Sequence, residues 1–348
     1  MAPLVLTTLI ISLGLGTTMT FASTHWYLAW MGIEINTLAI IPLMAQNHSP
    51  RTIEATTKYF FAQAAASATL LFASISNAFL TGEWDILQAH HPLTSTLIIL
   101  ALAMKIGLAP LHSWMPEVMQ GLNLLTGLIL STWQKLAPLC LMFQIQPNNP
   151  NIFIFLGLLS IIVGGWGGFN QVQLRKILAY SSIAHLGWMI LILPFSPSLT
   201  LIALSTYLLM TFSLFSSFML IRTTHINSLA TAWAKAPAIT ASVPLILLSL
   251  GGLPPLTGFL PKWLILQELI KQNLAPIALL AALSSLFSLY FYLRLVYAIA
   301  LTMPPNNPAG TLSWRLKINY NITLPALTTS TTIFLLPLAP AILALFTP

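Results

Sequence analysis

The sequence predicts an all-α polytopic membrane protein of about 11 transmembrane helices. Three observations point there. First, 57% of the 348 residues are hydrophobic and only 5% are charged, with a mean hydropathy of +0.86. A soluble domain carries roughly 25% charged residues, so this chain cannot cover a water-facing surface. Second, the apolar runs reach about 20 residues or more, long enough for a helix to cross a hydrocarbon core of roughly 30 Å. Third, the runs are continuously apolar and not alternating, which argues against barrel strands.

Taken in order, the apolar segments run over about 2–21, 25–45, 57–80, 93–123, 125–145, 151–170, 174–194, 198–221, 239–271, 274–302 and 324–346. The first lacks a basic leader region, so it reads as an insertion signal that is retained, or the chain is made in the compartment where it works. The second carries an acid, Glu34, midway along WMGIEINTLAIIP. The fourth and ninth are longer than a span needs, and Pro and Gly interrupt both. The fifth carries Lys135 near its centre, and the seventh carries His185. Arg294 lies near one end of the tenth, where it can snorkel. The longest polar connections are 46–56, 222–238 and 303–323, and no soluble domain is evident. The whole chain is read as a single transmembrane domain.

An odd number of spans puts the termini on opposite faces. The face holding the N-terminus, face A, receives Arg51, Lys58, Arg175, Lys176, Arg222, Lys235, Arg315 and Lys317. The opposite face, B, receives Glu83 and Asp85, with Lys271 nearly its only cation, and His90 and His91 are read as loop residues there. The positive-inside rule makes face A the cytoplasmic or matrix-like side. This distribution accounts for most of the net charge of +7 without an acidic partner, and no basic cluster or recognition motif suggests nucleic acid. The same residues suit anionic lipid head groups.

Other chemistries find no signal. The single cysteine, Cys140, excludes an intrachain disulfide and reads as a small apolar residue inside a span. GGWGGF at 164–169 lacks the strand and Lys-Ser/Thr of a phosphate loop. Metal-ligand spacing and haem ligation are not apparent.

The two interrupted spans match each other. Residues 107–117 read GLAPLHSWMPE and residues 252–262 read GLPPLTGFLPK, at a constant offset of 145. Gly107/Gly252, Leu108/Leu253, Pro110/Pro255, Leu111/Leu256 and Pro116/Pro261 are identical. The offset covers five spans, so the second copy enters from the opposite face. The expected architecture is two inverted repeats, about 2–145 and 151–302, with one extra helix at about 324–346. Paired broken helices at matching positions of inverted repeats point to a transporter's ion path. Backbone groups freed at the breaks must be satisfied by protein or water, so such breaks mark hydrated interior; the alternative is a packing kink.

Four ionisable residues fall well inside spans: Glu34, Lys105, Lys135 and Lys262. A charge at the centre of a span costs about 2.5–3.5 kcal/mol on insertion scales, and such residues mark ion or proton pathways. The bland alternatives are lysines that snorkel and a glutamate that serves only as their structural partner. A Glu–Lys pair at about 4 Å interacts by roughly 4 kcal/mol at an effective dielectric of 20. Moving one charge through 100 mV takes about 2.3 kcal/mol, so making and breaking such a pair is large enough to drive a proton. His185, in YSSIAHLGWM, and His112, inside the first break, are suited to proton relay or to simple interior hydrogen bonding. Glu117 matches Lys262 in the other repeat and is placed near face A.

These motifs resemble the antiporter-like membrane subunits of respiratory complex I, over essentially the whole chain. The resemblance rests on GLAPLHSWMPE, GLPPLTGFLPK, WMGIEINTLAIIP, LILSTWQKLAPL, YSSIAHLGWM and the series Glu34, Lys105, Lys135 and Lys262. Bacterial members carry fourteen spans, and eleven resembles the shortened animal form. The charge-poor composition resembles a product of the mitochondrial genome, which makes face A the matrix and face B the intermembrane space. The resemblance implies that Glu34 and Lys105 form the pair of a first half-channel, that Lys135 is the central lysine with His185 on the connecting axis, and that Lys262 leads to a second half-channel. It further implies a multi-pass inner-membrane subunit that binds no cofactor itself, within a complex that uses NADH and ubiquinone. Its partners would be other membrane-arm subunits and inner-membrane lipids such as cardiolipin. Two other readings stay open: a free-standing monovalent cation/proton antiporter, and a structural spacer whose buried charges aid assembly.

Overall fold

Helices account for nearly all of the regular structure, as expected where backbone polar groups have no water to bond to. The computed structural model describes residues 3–88, 91–145, 150–234, 236–301 and 323–346. Among the sequence expectations, Lys235, His90, Arg315 and Lys317 lie outside the described residues. Among the described residues only two isolated β-bridges occur, His25 with Asp85 and Gln173 with His225. The chain divides into two compact units, Met1–Leu156 and Gly157–Pro348.

The first unit is built from α1 (Pro3–Ala22), α2 (Trp26–Met44), α3 (Pro50–Thr81), α4 (Pro92–Ile106), α5 (Trp114–Gly121), α6 (Leu124–Ser131) and α7 (Trp133–Gln144), followed by the start of α8 (Asn151–Gly167). α1 packs on α2, α3 packs on α2, α4 and α5, and α7 packs on α1, α2 and α4. The second unit holds the rest of α8 with α9 (Leu174–Ile192), α10 (Pro197–Ile221), α11 (Ile226–Ala230), α12 (Pro237–Gly251), α13 (Phe259–Lys271), α14 (Ala275–Ala300), α15 (Thr323–Phe334) and α16 (Ala339–Phe346). Here α10 packs on α9, α12, α13 and α15, and α14 packs on α9, α11, α12 and α13.

Six helical stretches among the described residues are long and apolar enough to cross a membrane: Pro3–Ala22, Trp26–Asn47, Pro50–Thr81, Leu124–Gln144, Pro197–Ile221 and Ala275–Ala300. Pro92–Ile106, Asn151–Gly167 and Pro237–Gly251 are shorter apolar helices.

Three segments differ from their sequence reading. The span expected at 57–80 begins at Pro50, because Ser49 caps the helix by accepting from the Thr52 amide and Pro50 needs no amide partner in the first turn. At 32 residues it is about 48 Å long, well beyond the hydrocarbon core. The span expected at 125–145 is interrupted at Thr132, where φ is −111° and ψ is −70°, and where both the Thr132 amide and hydroxyl bond to Leu128 O. The span expected at 324–346 is split into α15, a single 3₁₀ turn at Leu336–Leu338, and α16. Pro337 and Pro340 have no amide to give to the preceding turn, so the α-helical ladder loses two bonds there and a 3₁₀ turn takes its place.

The two long, interrupted segments are each two helices. α4 ends on Gly107 (φ +86°) and α12 ends on Gly252 (φ +80°), both in the left-handed region that glycine enters without strain. α15 is tied to the second interruption: buried Thr257 donates its hydroxyl to Thr332 O at 2.7 Å, near the end of α15 where carbonyls lack amide partners. Thr257→Val removes that donor at nearly constant shape. The expected cost is about 1 kcal/mol, so amide exchange over residues 330–336 in the membrane-embedded protein should accelerate about fivefold. Unchanged exchange would mean that packing alone holds the end of α15.

Candidate functional site

A helix that stops inside a membrane leaves its last carbonyls without amide partners, and each must be met by another group. At the first break, Ala103 O accepts from the Gly107 and Leu108 amides, both at 2.9 Å. Met104 O accepts from the Trp114 indole at 3.0 Å, and Lys105 O accepts from Gln63 Nε2 at 3.2 Å. The first donor comes from α5 and the second from α3, so the break itself binds these helices together. At the second break, Leu248 O and Ser249 O accept from the Gly252 amide at 3.1 and 2.9 Å. Gly251 O then accepts from the Lys262 ammonium at 2.8 Å.

The two breaks therefore use lysine differently. Lys105 belongs to the last turn of α4, whereas Lys262 reaches back from the first turn of α13 to the end of α12. Both put a cation near a helix C-terminus, where the partial negative charge favours it. Phe259 stands where Trp114 stands in the first break and has no indole to donate, and Lys262 supplies a donor from three residues further on.

A cavity large enough for a water molecule opens beside the first break. Its polar lining comes from Asn36 and Thr37 on α2, Tyr59 and Gln63 on α3, Lys105 on α4, and Gln134 and Lys135 on α7. The Lys105 side chain is 1% exposed, and its ammonium lies 4.0 Å from Glu34 Oε1. The Thr37 hydroxyl, one turn along α2, donates to Glu34 O at 2.8 Å and lies 3.2 Å from Glu34 Oε2, within reach of the carboxylate. Gln134 Nε2 donates to Asn36 O at 3.3 Å and ties α7 to α2 at the cavity. Tyr59 packs edge-on against Trp114, with ring centroids 5.7 Å apart. The first unit thus places Lys105 and Lys135 on one small polar space, with Glu34 paired to Lys105.

The other expected residues stand apart from that space or belong to the second unit. His112 is partly exposed, with Nδ1 3.3 Å from Pro110 O. Glu117 faces outward at 52% exposure and pairs with Lys58 at 2.8 Å; Lys58 also reaches Glu54 at 2.7 Å. This exposed triad joins α5 to α3 but adds little to stability by itself. In the second unit, His185 sits midway along α9 with its ring 5.7 Å from that of Tyr207 on α10. Arg294 donates to the carbonyls of Phe169 and Gln171 beyond the end of α8.

Sequence reasoning did not single out Asn36, Gln63, Gln134, Thr37 or Trp114. The signal that would have found the three amides is uncharged but polar: each lies within a predicted apolar span, where an unpaired amide costs several kcal/mol.

Helices broken at matched glycines, with lysines at both breaks and an ion pair to a buried lysine beside one of them, define a polytopic membrane protein of the antiporter-like class. Comparison with known proteins agrees with that class. The family model for the transmembrane region of NADH:quinone oxidoreductases and Mrp antiporters matches residues 23–288, and the model for the C-terminus of NADH dehydrogenase subunit 2 matches residues 289–343. The chain is 65% identical to NADH-ubiquinone oxidoreductase chain 2 of Tetraodon nigroviridis, over 99% of both sequences. The structure superposes on a chain of respiratory complex I from Thermus thermophilus with a TM-score of 0.80 and 27% identity, covering 96% of this chain and 79% of that one. A chain of the Mrp complex from Dietzia sp. shares the fold, with a TM-score of 0.77 at 17% identity over 97% of this chain and 75% of that one. The chain belongs to the NADH-ubiquinone oxidoreductase chain 2 family.

The carbonyl accounting at the first break is testable. Trp114→Phe keeps an aromatic ring against Tyr59 but leaves Met104 O without its donor. The expected loss is about 1–3 kcal/mol, read as a lower thermal midpoint of the detergent-solubilised protein. An unchanged midpoint would show that Met104 O finds another partner.

Proposed function

We infer that this chain is a proton-translocating membrane-arm subunit of NADH:ubiquinone oxidoreductase, in the mitochondrial inner membrane. The observation that carries this is its 65% identity to a chain 2 relative over 99% of both lengths. The same likeness favours it over a free-standing cation/proton antiporter, since the Mrp complex chain matches at only 17% identity. NADH and ubiquinone are the substrates of the complex, and this chain holds no redox centre of its own in this reading.

The architecture we propose is eleven crossings, with inverted repeats over about 2–145 and 151–302 and an added helix at about 324–346. It is supported by the shared offset of 145 between the helix starts Pro92 and Pro237, the stops Gly107 and Gly252, and the restarts Trp114 and Phe259. The excess of basic residues on one face supports an N-terminus in the matrix and a C-terminus in the intermembrane space. Cardiolipin and other anionic lipids suit the same basic face.

The proton path we propose begins at the Glu34–Lys105 pair, passes to Lys135, continues through His185 and leaves by way of Lys262, with His112 in a minor position. Its support is the geometry of the first unit: an ion pair at 4.0 Å, and two buried lysines on one cavity. At that distance the pair is worth roughly 4 kcal/mol at an effective dielectric of 20. Opening it costs, and closing it returns, more than the 2.3 kcal/mol or so needed to move one charge through 100 mV. Redox chemistry in the rest of the complex would drive the opening, and protonation of Lys105 would follow the position of Glu34.

Two results are expected. On a native gel of gently solubilised membranes, peptides of this chain should migrate with the large NADH dehydrogenase band; migration as a small separate species would favour the free antiporter. In the assembled complex, Lys105→Ala or Glu34→Ala should lower the protons pumped per electron or slow coupled turnover, while NADH oxidation by artificial acceptors continues. Full proton yield in both variants would remove the pair from the path. Lost assembly in every charge variant, with normal pumping once assembly is restored, would favour a spacer role.

A further inference from the structure

Asn36 is 1% exposed, lines the cavity beside the first break, and has no hydrogen-bond partner in the protein for either Nδ2 or Oδ1. A buried side-chain amide with both polar atoms unmet costs several kcal/mol, so a partner from outside the protein is called for. Lys105 is in the same position: its ammonium is buried in the same cavity, has no hydrogen-bond partner, and is held only by the longer-range ion pair to Glu34. The cavity has room for one water-sized molecule, and an internal water needs two to four polar partners. Asn36 supplies one donor and one acceptor, and Lys105 supplies a donor.

The position of Asn36 is built into the helix packing. Gly16 on α1 lies directly against the Asn36 amide, and a Cβ there would clash with its Oδ1. Gln134 fixes the Asn36 backbone from α7, next to Lys135. The amide is therefore held from two sides while its polar atoms stay unpaired.

We propose that Asn36 binds an internal water molecule that joins Lys105 to Lys135, and that it is a positioning residue for proton transfer between the two lysines. This rests on the proton path given above. In the bridged state the water accepts a proton from one ammonium as it gives another to the neutral amine of the next lysine, so charge moves and atoms are conserved. The amide, which does not ionise, holds the water's orientation without trapping the proton.

The test uses the whole assembled complex. Asn36→Leu keeps the volume and removes both polar atoms. Per assembled complex, it should slow coupled turnover roughly tenfold, the effect of one lost hydrogen bond in the transfer step. It should also raise the solvent deuterium isotope effect on turnover, which a purely structural role would leave unmoved. Asn36→Ser, which keeps a donor and acceptor and leaves space, should restore most of the rate and the normal isotope effect. Wild-type turnover and isotope effect in Asn36→Leu would overturn the proposal; if Lys105→Ala still lowered the proton yield or slowed coupled turnover, the wider path would survive. Should Asn36→Leu fail to assemble, the wild-type complex decides, in a map that resolves ordered waters. Density within hydrogen-bond distance of both the Asn36 amide and Lys105 Nζ supports the bridge, and its absence overturns it.

Discussion

Each helix that stops inside the bilayer exposes carbonyls that lipid cannot meet, and much of the structure around the breaks follows from meeting them. The left-handed glycines at 107 and 252 let the chain turn back far enough for two following amides to bond into the last turn. What those amides cannot reach is met from elsewhere: the Trp114 indole and the Gln63 amide at one break, the Lys262 ammonium at the other. These bonds join neighbouring elements at the places where Lys105 and Lys262 stand. Gln63, in satisfying the carbonyl of Lys105, holds α3 against the residue whose ammonium faces the cavity.

Electrostatics build on that frame. Lys105 is fully enclosed yet bonded to nothing except, at 4.0 Å, the carboxylate of Glu34. A contact of that length stabilises the charge without the tight geometry of a hydrogen-bonded pair, and separating the partners by about 5 Å more changes its energy by roughly 2 kcal/mol at an effective dielectric of 20, comparable to moving a charge through 100 mV. Lys262 is different in kind, since its ammonium is committed to a backbone carbonyl at 2.8 Å. Two breaks of similar sequence thus place lysine in unlike settings, one beside a carboxylate and one on a helix end.

The likeness to complex I and Mrp chains gives these differences a context. A fold held in common at 17% identity is kept while most side chains differ. Within that fold, particular side chains line the cavity and meet the freed carbonyls. In this chain they include amides and an indole as well as lysines.

The sequence by itself determined that the protein is helical and membrane-embedded, because so few charges leave no other means of hiding a largely apolar chain from water. It also determined where two helices stop, since Pro and Gly act locally on the backbone. Glu34, Lys105 and Lys135 stood out because charge in an apolar run is conspicuous. Other features depended on contacts that no local pattern carries. The early start of α3 rests on a cap at Ser49, the interruption at Thr132 on a single distorted residue, and the split of the final segment on prolines whose effect the apolar length obscured. Asn36, Gln63 and Gln134 are unremarkable as letters. Only tertiary packing brings them from three helices to one cavity and decides which polar atoms are met and which remain open, because hydrogen-bond satisfaction depends on neighbours far away in the chain.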